Sequence, residues 1–397
     1  MKAYQQLLGI FGTLALAVVT STQVQAQTAL GQTNGRVITS AVPFLMISPD
    51  ARASGMGDQG AALSADVNSL HWNPGKLAFA TDDMGLGISY TPWLQALNLI
   101  DDMSISYLSG YKKLNRERAI GVAMKYFDLG SFQATDATGQ PIGVYTPREF
   151  SFAASYSQRL TEYFSAGVSV RYARSQLLGN FGPTSEARPA NTVAADLGVY
   201  YNRDIVISGM PSQLSFAGAI TNLGPKVTYT NESRRDFIPT NLRLGSALTT
   251  NLDAYNSFTF GVEVNKLMVP TPPAIDSAGN LIGTPIDSLT WLQGVFGSFS
   301  DAPDGFVEEL QEFTISVGME YWYNKTFAAR IGYFHEAENK GARKFITLGA
   351  GFRYNVFGID FAYLTAIAQR HPLDDTLRFT LLFRFDDGKA EASITEE

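Results

Sequence analysis

From residue 84 onward the chain alternates, and this feature limits its possible folds more than any other. In Leu377-Arg378-Phe379-Thr380-Leu381-Leu382-Phe383-Arg384-Phe385 every odd position is apolar or aromatic, while the even ones are Arg, Thr, Leu and Arg. Phe150, Phe152, Ala154 and Tyr156 repeat the pattern with Glu149, Ser151, Ala153 and Ser155 between them, as do Phe164, Ala166, Val168, Val170 and Tyr172. Side chains on a strand point to opposite faces with period two, so each segment has one greasy and one mostly polar face. After residue 26 there is no apolar run of 18 or more residues, so no helix is expected to cross a bilayer. An all-β fold remains, either a soluble sandwich or a barrel closed in lipid.

Applied along the chain, the alternation predicts strands near residues 84–91, 102–110, 118–127, 148–158, 163–175, 191–202, 212–222, 240–249, 256–265, 313–324, 326–336, 344–354, 357–366 and 375–385. An even number of antiparallel strands, each about 9–11 residues long, is the pattern of bacterial outer-membrane barrels. The connections alternate too. Long segments (92–101, 128–147, 176–190, 223–239, 266–312) are interleaved with short ones, of which Asn324-Lys325 and Asn355-Val356 are the tightest. Long loops outside and short turns in the periplasm then place both termini in the periplasm of the cell outer membrane. Tyr90, Tyr107, Tyr126, Tyr156, Tyr172, Tyr201, Tyr321, Tyr323, Tyr333, Tyr354 and Tyr363 read as outward, mostly near strand ends. There they would form aromatic girdles, for which a sandwich has little use. The expected fold is a transmembrane antiparallel β-barrel of about fourteen strands over residues 84–385.

Composition agrees and excludes other classes. Charged residues make up 17% of the chain, against roughly 25% in soluble domains. The absence of Cys removes zinc ribbons, disulfide scaffolds and cysteine enzymes. A net charge of −7 and pI near 5.1 offer no basic footprint for nucleic acid. Residues 1–26 read as a signal peptide, with Lys2, an apolar stretch from Leu7 to Val19, and Val24-Gln25-Ala26 at the cleavage site.

The polar face describes the barrel interior. Lys125, Arg171, Arg243, Arg330, Arg353, Arg378 and Arg384 point inward, with Glu149, Asp196, Glu263, Glu320 and Asp360, a nearly balanced set that reads as a structural network. Between them lie Gly121, Gly167, Gly198, Gly245, Gly261, Gly318, Gly332, Gly349 and Gly351, leaving room for water or for an inserted plug. Residues 27–83 do not alternate and are rich in small residues, which suits an N-terminal hatch in that lumen. Its Gly55–Gly60 match to G-x-G-x-x-G has no preceding strand and no surrounding βαβ unit, so no nucleotide cofactor is expected. Trp72-Asn73-Pro74-Gly75 is its turn signal.

With Asp66 and the Trp72-Asn73-Pro74-Gly75-Lys76-Leu77 run ahead of fourteen candidate strands, the chain resembles the FadL-type outer-membrane barrels. Within that group, Val42-Pro43-Phe44-Leu45-Met46-Ile47-Ser48-Pro49-Asp50-Ala51-Arg52-Ala53-Ser54-Gly55-Met56-Gly57 is similar to the PorV family of type IX secretion systems. That resemblance implies a non-enzymatic shuttle. Its partners would be a large outer-membrane translocon barrel of the SprA/Sov type, cargo proteins with C-terminal signal domains, and a sortase-containing attachment complex at the cell surface. The alternative, a FadL-like transporter of hydrophobic small molecules, needs an apolar pocket. A lumen of Gly, Ser, Arg and Glu does not suggest one.

Partner binding is therefore expected in the outer loops, where Trp93, Leu94, Leu97, Trp291, Phe296, Phe299 and Phe306 are unusually apolar. Lipolytic chemistry would have to use His335 or His371, for which no nucleophile motif or acid partner is evident. No metal site is read. Phe383-Arg384-Phe385 is an aromatic strand end of the kind that barrel-assembly machinery recognises, but residues 386–397 follow it as a charged periplasmic tail.

Overall fold

The computed structural model describes residues 36–94, 103–136, 138–179, 187–230, 235–275, 281–282, 284–367 and 373–386. Residues 1–35, which hold the expected signal peptide and the start of the expected hatch, lie outside them, as do Leu97, His371 and residues 387–397. Fourteen antiparallel strands close into one barrel. In chain order they are β1 (Met84–Pro92), β2 (Ser104–Lys113), β3 (Arg118–Asp128), β4 (Arg148–Arg159), β5 (Phe164–Gln176), β6 (Ala190–Ile207) and β7 (Met210–Leu223). There follow β8 (Asn241–Asn251), β9 (Asn256–Leu267), β10 (Phe313–Tyr323), β11 (Phe327–His335), β12 (Lys344–Tyr354), β13 (Phe357–Ala366) and β14 (Thr376–Phe385). Each pairs with its sequence neighbours, and β14 closes on β1 in a register running from Met84↔Phe385 to Tyr90↔Phe379. Closure leaves no sheet edge unpaired, which lipid requires.

The expected strands agree with the observed ones to within a few residues except at β6 and β7. A loop was expected over 203–211, but the two strands run on into a hairpin that turns at Ser208-Gly209, both with positive φ (51° and 81°). Arg203 and Asp204 interrupt the apolar alternation while continuing the ladder. Both are exposed, as is Val206, in a ribbon extending beyond the other strands of the short-turn end, where neither face has to be apolar. Asn324-Lys325 makes the same kind of left-handed two-residue turn (49° and 50°), which matches strand twist. Two short ribbons, Phe132–Thr135 with Pro141–Tyr145 and Ala274–Ile275 with Leu281–Ile282, decorate the long loops.

Facing is as read for the charged residues. Lys125, Arg171, Arg243, Arg330, Glu149, Asp196, Glu263, Glu320 and Asp360 are buried inside, while Leu86, Ile88, Val168, Val170, Ile331 and Leu348 are exposed outside. Tyr107 corrects the reading. It was expected on the lipid face but is buried with Ile105 and Tyr111 on the inner face of β2, and its ring meets His71 edge-on at 6.4 Å. On this strand Ser106, Leu108 and Gly110 alternate with Ile105, Tyr107, Ser109 and Tyr111, so neither face is plainly the apolar one.

Residues 36–83 lie against inward-facing side chains and glycines of the barrel wall. A helix at Ala51–Ser54 starts at Asp50, whose side chain accepts from Ala53 N at 2.9 Å. Further turns form at Ser69–Trp72 and Pro74–Phe79. The inward glycines are where this segment touches the wall. A Cβ on Gly167 would lie 2.5 Å from the Pro74 carbonyl carbon, and one on Gly261 would lie 2.7 Å from Gln59 Oε1.

The charges meet the segment and one another. Glu320 accepts from Arg52 (2.8 Å) and Arg330 (2.7 Å), and Asp360 accepts from Arg330 (2.8 Å) and Arg353 (2.6 Å). Glu263 accepts from the backbone N–H groups of Gly60 and Ala61, and Lys125 Nζ donates to the Ile47 carbonyl at 2.6 Å. A buried charge that loses its partner is left uncompensated at about 3–5 kcal/mol. Glu320→Ala should therefore lower unfolding stability in lipid vesicles by about that much, read by Trp fluorescence in urea, whereas surface Glu117→Ala should change it by less than about 0.5 kcal/mol. Equal effects would contradict this network.

Candidate partner-binding surface

The turn at Trp72-Asn73-Pro74-Gly75 is bonded on every side. Trp72 Nε1 donates to Asp50 Oδ1 at 2.7 Å, and the Arg243 guanidinium lies 4.8 Å from the Trp72 ring centroid. Asn73 accepts from Gly75 N with its side-chain oxygen and donates through Nδ2 to the Val199 carbonyl on β6, both at 2.9 Å. The Gly75 carbonyl accepts from Ser157 of β4 (2.9 Å) and Ser165 of β5 (2.6 Å). The four residues thus tie the inner segment to three adjacent strands.

At the long-loop end Val42, Phe44 and Leu45 pack in an apolar layer with Ile105, Phe127, Ala194 and Ile238. Trp93 belongs to this layer, a second correction. Expected as an exposed contact residue, it is only 9% exposed and meets Phe127 edge-on at 6.2 Å, with Leu94 partly buried beside it. Their apolar character serves packing against a segment some fifty residues earlier in the chain, which local sequence does not display.

The loop between β9 and β10 behaves differently. Helix α1 (Trp291–Gly297) begins with a capping box in which Thr290 and Gln293 exchange side-chain and backbone hydrogen bonds. It buries Gly294 and Val295, and Gly294 has no Cβ to obstruct the Phe237 ring. Helix α2 (Phe306–Gln311) buries Glu308 and Glu309. Of the residues expected to bind partners, Phe296, Phe299 and Phe306 are exposed and Trp291 is half-buried.

What holds α2 in place is a cluster of charges beneath it. Glu308 accepts from Arg36 (2.9 and 2.7 Å) and Lys340 (2.7 Å). Lys266 donates to Glu309 (3.1 Å) and Glu312 (2.6 Å), and Glu312 also accepts from Lys340 (2.8 Å) and Thr271. Arg36 also bonds Asp304. Oxygens of Asp301, Glu309 and Glu312 lie within 4.8 Å of one another. Because Lys266 already occupies the space between the two glutamates, the arrangement is an ion-pair cluster rather than a cation cage. None of these cations was singled out beforehand, since the pairs join positions 28–272 residues apart. His335 lies at the same end, on the last residue of β11, with Nδ1 3.2 Å from the Tyr333 hydroxyl.

A profile of the family described as "Type IX secretion system protein PorV" matches residues 30–274, more than half of the chain. The chain belongs to the PorV family. It is thus an outer-membrane β-barrel of the type IX secretion system. No curated protein matches its sequence. Among solved structures, it is similar to the Ralstonia pickettii toluene transporter TbuX (13% identity, 86% of this chain and 100% of that one, TM-score 0.48). It is also similar to the Pseudomonas putida toluene transporter TodX (14%, 84% and 96%, 0.46) and a Pseudomonas aeruginosa FadL homologue (11%, 86% and 99%, 0.41).

Two carboxyls beneath the helices titrate in opposite directions. Burial opposes ionisation of Glu308, but hydrogen bonds from Arg36 and Lys340 outweigh it and hold the group down at about 2. Its stabilisation is present above the ordinary 4.5 and is lost as pH falls toward 2. Burial, reinforced by the charges of Glu312 and Glu309 against hydrogen bonds from Thr271, pushes Asp301 up to about 6. Its contribution is complete below the ordinary 3.8 and is lost as pH rises through 6. Protection of residues 284–312 against hydrogen exchange, measured relative to the intrinsic exchange rate at each pH, should therefore fall between about pH 4 and 7 in the wild type but not in Asp301→Asn. Wild-type protection that does not change over this range would contradict the assignment.

Proposed function

We propose that this PorV-family barrel is a cargo shuttle: it binds the C-terminal signal domain of secreted proteins at the SprA/Sov-type translocon and passes them to the sortase-containing attachment complex. The family match over residues 30–274 carries this reading. The placement of the exposed apolar side chains Leu292, Phe296, Phe299 and Phe306 on the longest loop supports it, because such patches mark protein-interaction sites. A lumen crossed by residues 36–83 and lined by paired charges also favours work at the surface over passage through the barrel. In this reading residues 27–83 act as a permanent hatch, residues 1–26 are removed on export, and both termini are periplasmic with the long loops outside. Catalysis has no part in it.

The test is affinity purification from detergent-solubilised outer membranes, with wild type compared against Phe296→Ser/Phe299→Ser/Phe306→Ser. Wild type should recover the translocon barrel and proteins with C-terminal signal domains. The triple variant should lose at least tenfold of that recovery while keeping the heat-modifiable gel mobility of a folded barrel. Equal recovery from the variant would reject the loop as the contact surface. Recovery of bound hydrocarbon or lipid alone from wild type would reject the shuttle in favour of transport.

A further inference from the structure

The second helix of the long loop faces the wrong way for a segment surrounded by water. An amphipathic helix normally turns its charges to solvent and its apolar side chains inward. Helix α2 does the reverse: Glu308 and Glu309 point into the ion-pair cluster, while Phe306, Val307 and Leu310 face outward, 75%, 68% and 54% exposed. Helix α1, which carries no charged residue, buries Gly294 and Val295 and leaves Leu292 and Phe296 exposed. The inversion is anchored, because Arg36, Lys266 and Lys340 hold the inward carboxylates. Rotating α2 to hide its apolar face would break the pairs of Glu308 with Arg36 and Lys340 and of Glu309 with Lys266.

Charge indicates what covers this face. Residues 268–312 contain seven Asp and Glu and no Lys, Arg or His. Beneath α2, the carboxylates of Asp301, Asp304, Glu308, Glu309 and Glu312 outnumber the cations of Arg36, Lys266 and Lys340 by two. Asp287, just ahead of α1, is exposed. Lys226 reaches this loop at the Ile286 and Leu289 carbonyls and does not reverse the balance. Helices that lie on an anionic lipid surface carry Lys and Arg along their polar flank, and this loop has neither. A negative field around an apolar face instead complements a positive rim around an apolar groove.

We infer that the outward face of α1 and α2 is a docking surface for a protein groove that is apolar at its centre and lined at its rim by Lys and Arg. The inference rests on the secretion reading and specifies the chemistry of the partner surface. Apolar side chains supply the contact, and the acidic surround supplies steering and register.

The experiment places a photo-reactive phenylalanine analogue at Phe306 in the full chain in its own outer membrane, with cross-linked peptides identified by mass spectrometry. The expected product joins this position to the translocon barrel or to a cargo signal domain, at an apolar stretch flanked by Lys or Arg. Asp287→Lys, which leaves the ion-pair cluster intact, should lower the yield at least fivefold in low salt and by much less at 0.5 M salt. Val307→Ser/Leu310→Ser should lower it at both salt concentrations while the barrel keeps its heat-modifiable mobility. Cross-links to lipid alone, to a second copy of this chain or to an acidic-rimmed surface would overturn the inference, as would a yield indifferent to Asp287→Lys. If the wild type still co-purifies translocon and cargo in that case, the secretion reading stands and only this surface assignment fails. If it co-purifies neither, both fall.

Discussion

Lipid offers the backbone no hydrogen-bond partner, and everything else in this molecule follows from meeting that constraint with strands. Once β1 (Met84–Pro92) pairs with β14 (Thr376–Phe385), no N–H or C=O row of the sheet faces hydrocarbon. The outward half of each strand must then be apolar, so polar and charged side chains are confined to the lumen. There they must be neutralised by one another or by whatever fills the space. In this chain both happen. The Arg52–Glu320–Arg330–Asp360–Arg353 series runs from the inner segment across four strands, and Glu263 is satisfied by backbone N–H groups of the segment itself. Wall and filling are therefore parts of one electrostatic structure, in which neither is complete alone.

Much of this was legible because the bilayer imposes so regular a demand. The alternation of β14, or of Phe150-Ser151-Phe152 in β4, leaves little choice of element or facing, and inward Arg and Glu could be assigned before any contact was known. The inward glycines were informative in another way: Gly167 and Gly198 mark where the Asn73-Pro74-Gly75 turn approaches the backbone. The misreadings share a cause. Tyr107 and Trp93 are apolar side chains with an alternative to lipid or solvent, namely the inner segment, which offers His71 to one and the Val42–Phe44–Leu45 layer to the other. Aromatic character alone does not distinguish the two environments. The charges under α2 (Phe306–Gln311) were invisible for a related reason, since Glu308 has its cations at Arg36 and Lys340, far away in the chain.

The outer surface inherits its form from this interior. The layer containing Trp93 and Phe127 packs at the long-loop end, and the cluster around Lys266 holds the second helix of the β9–β10 loop with its apolar side chains outward. In most membrane proteins an exposed apolar surface means lipid. Here the barrel wall already accounts for lipid contact, and the second apolar surface sits on an acidic loop of a secretion-system protein, where the occupant we propose is a protein partner.

The central claim is that wall and inner segment are one structural unit, and hydrogen exchange in lipid nanodiscs tests it most directly. The amides of Gly57, Gly60 and Ala61 donate to Thr347 and Glu263 of the wall. They should exchange as slowly as the mid-strand amides of β9 and β12, and Glu263→Ala should accelerate the Gly60 and Ala61 pair. Exchange of these three within seconds, while the strands remain protected, would mean that the segment moves independently of the barrel, and the account would be wrong.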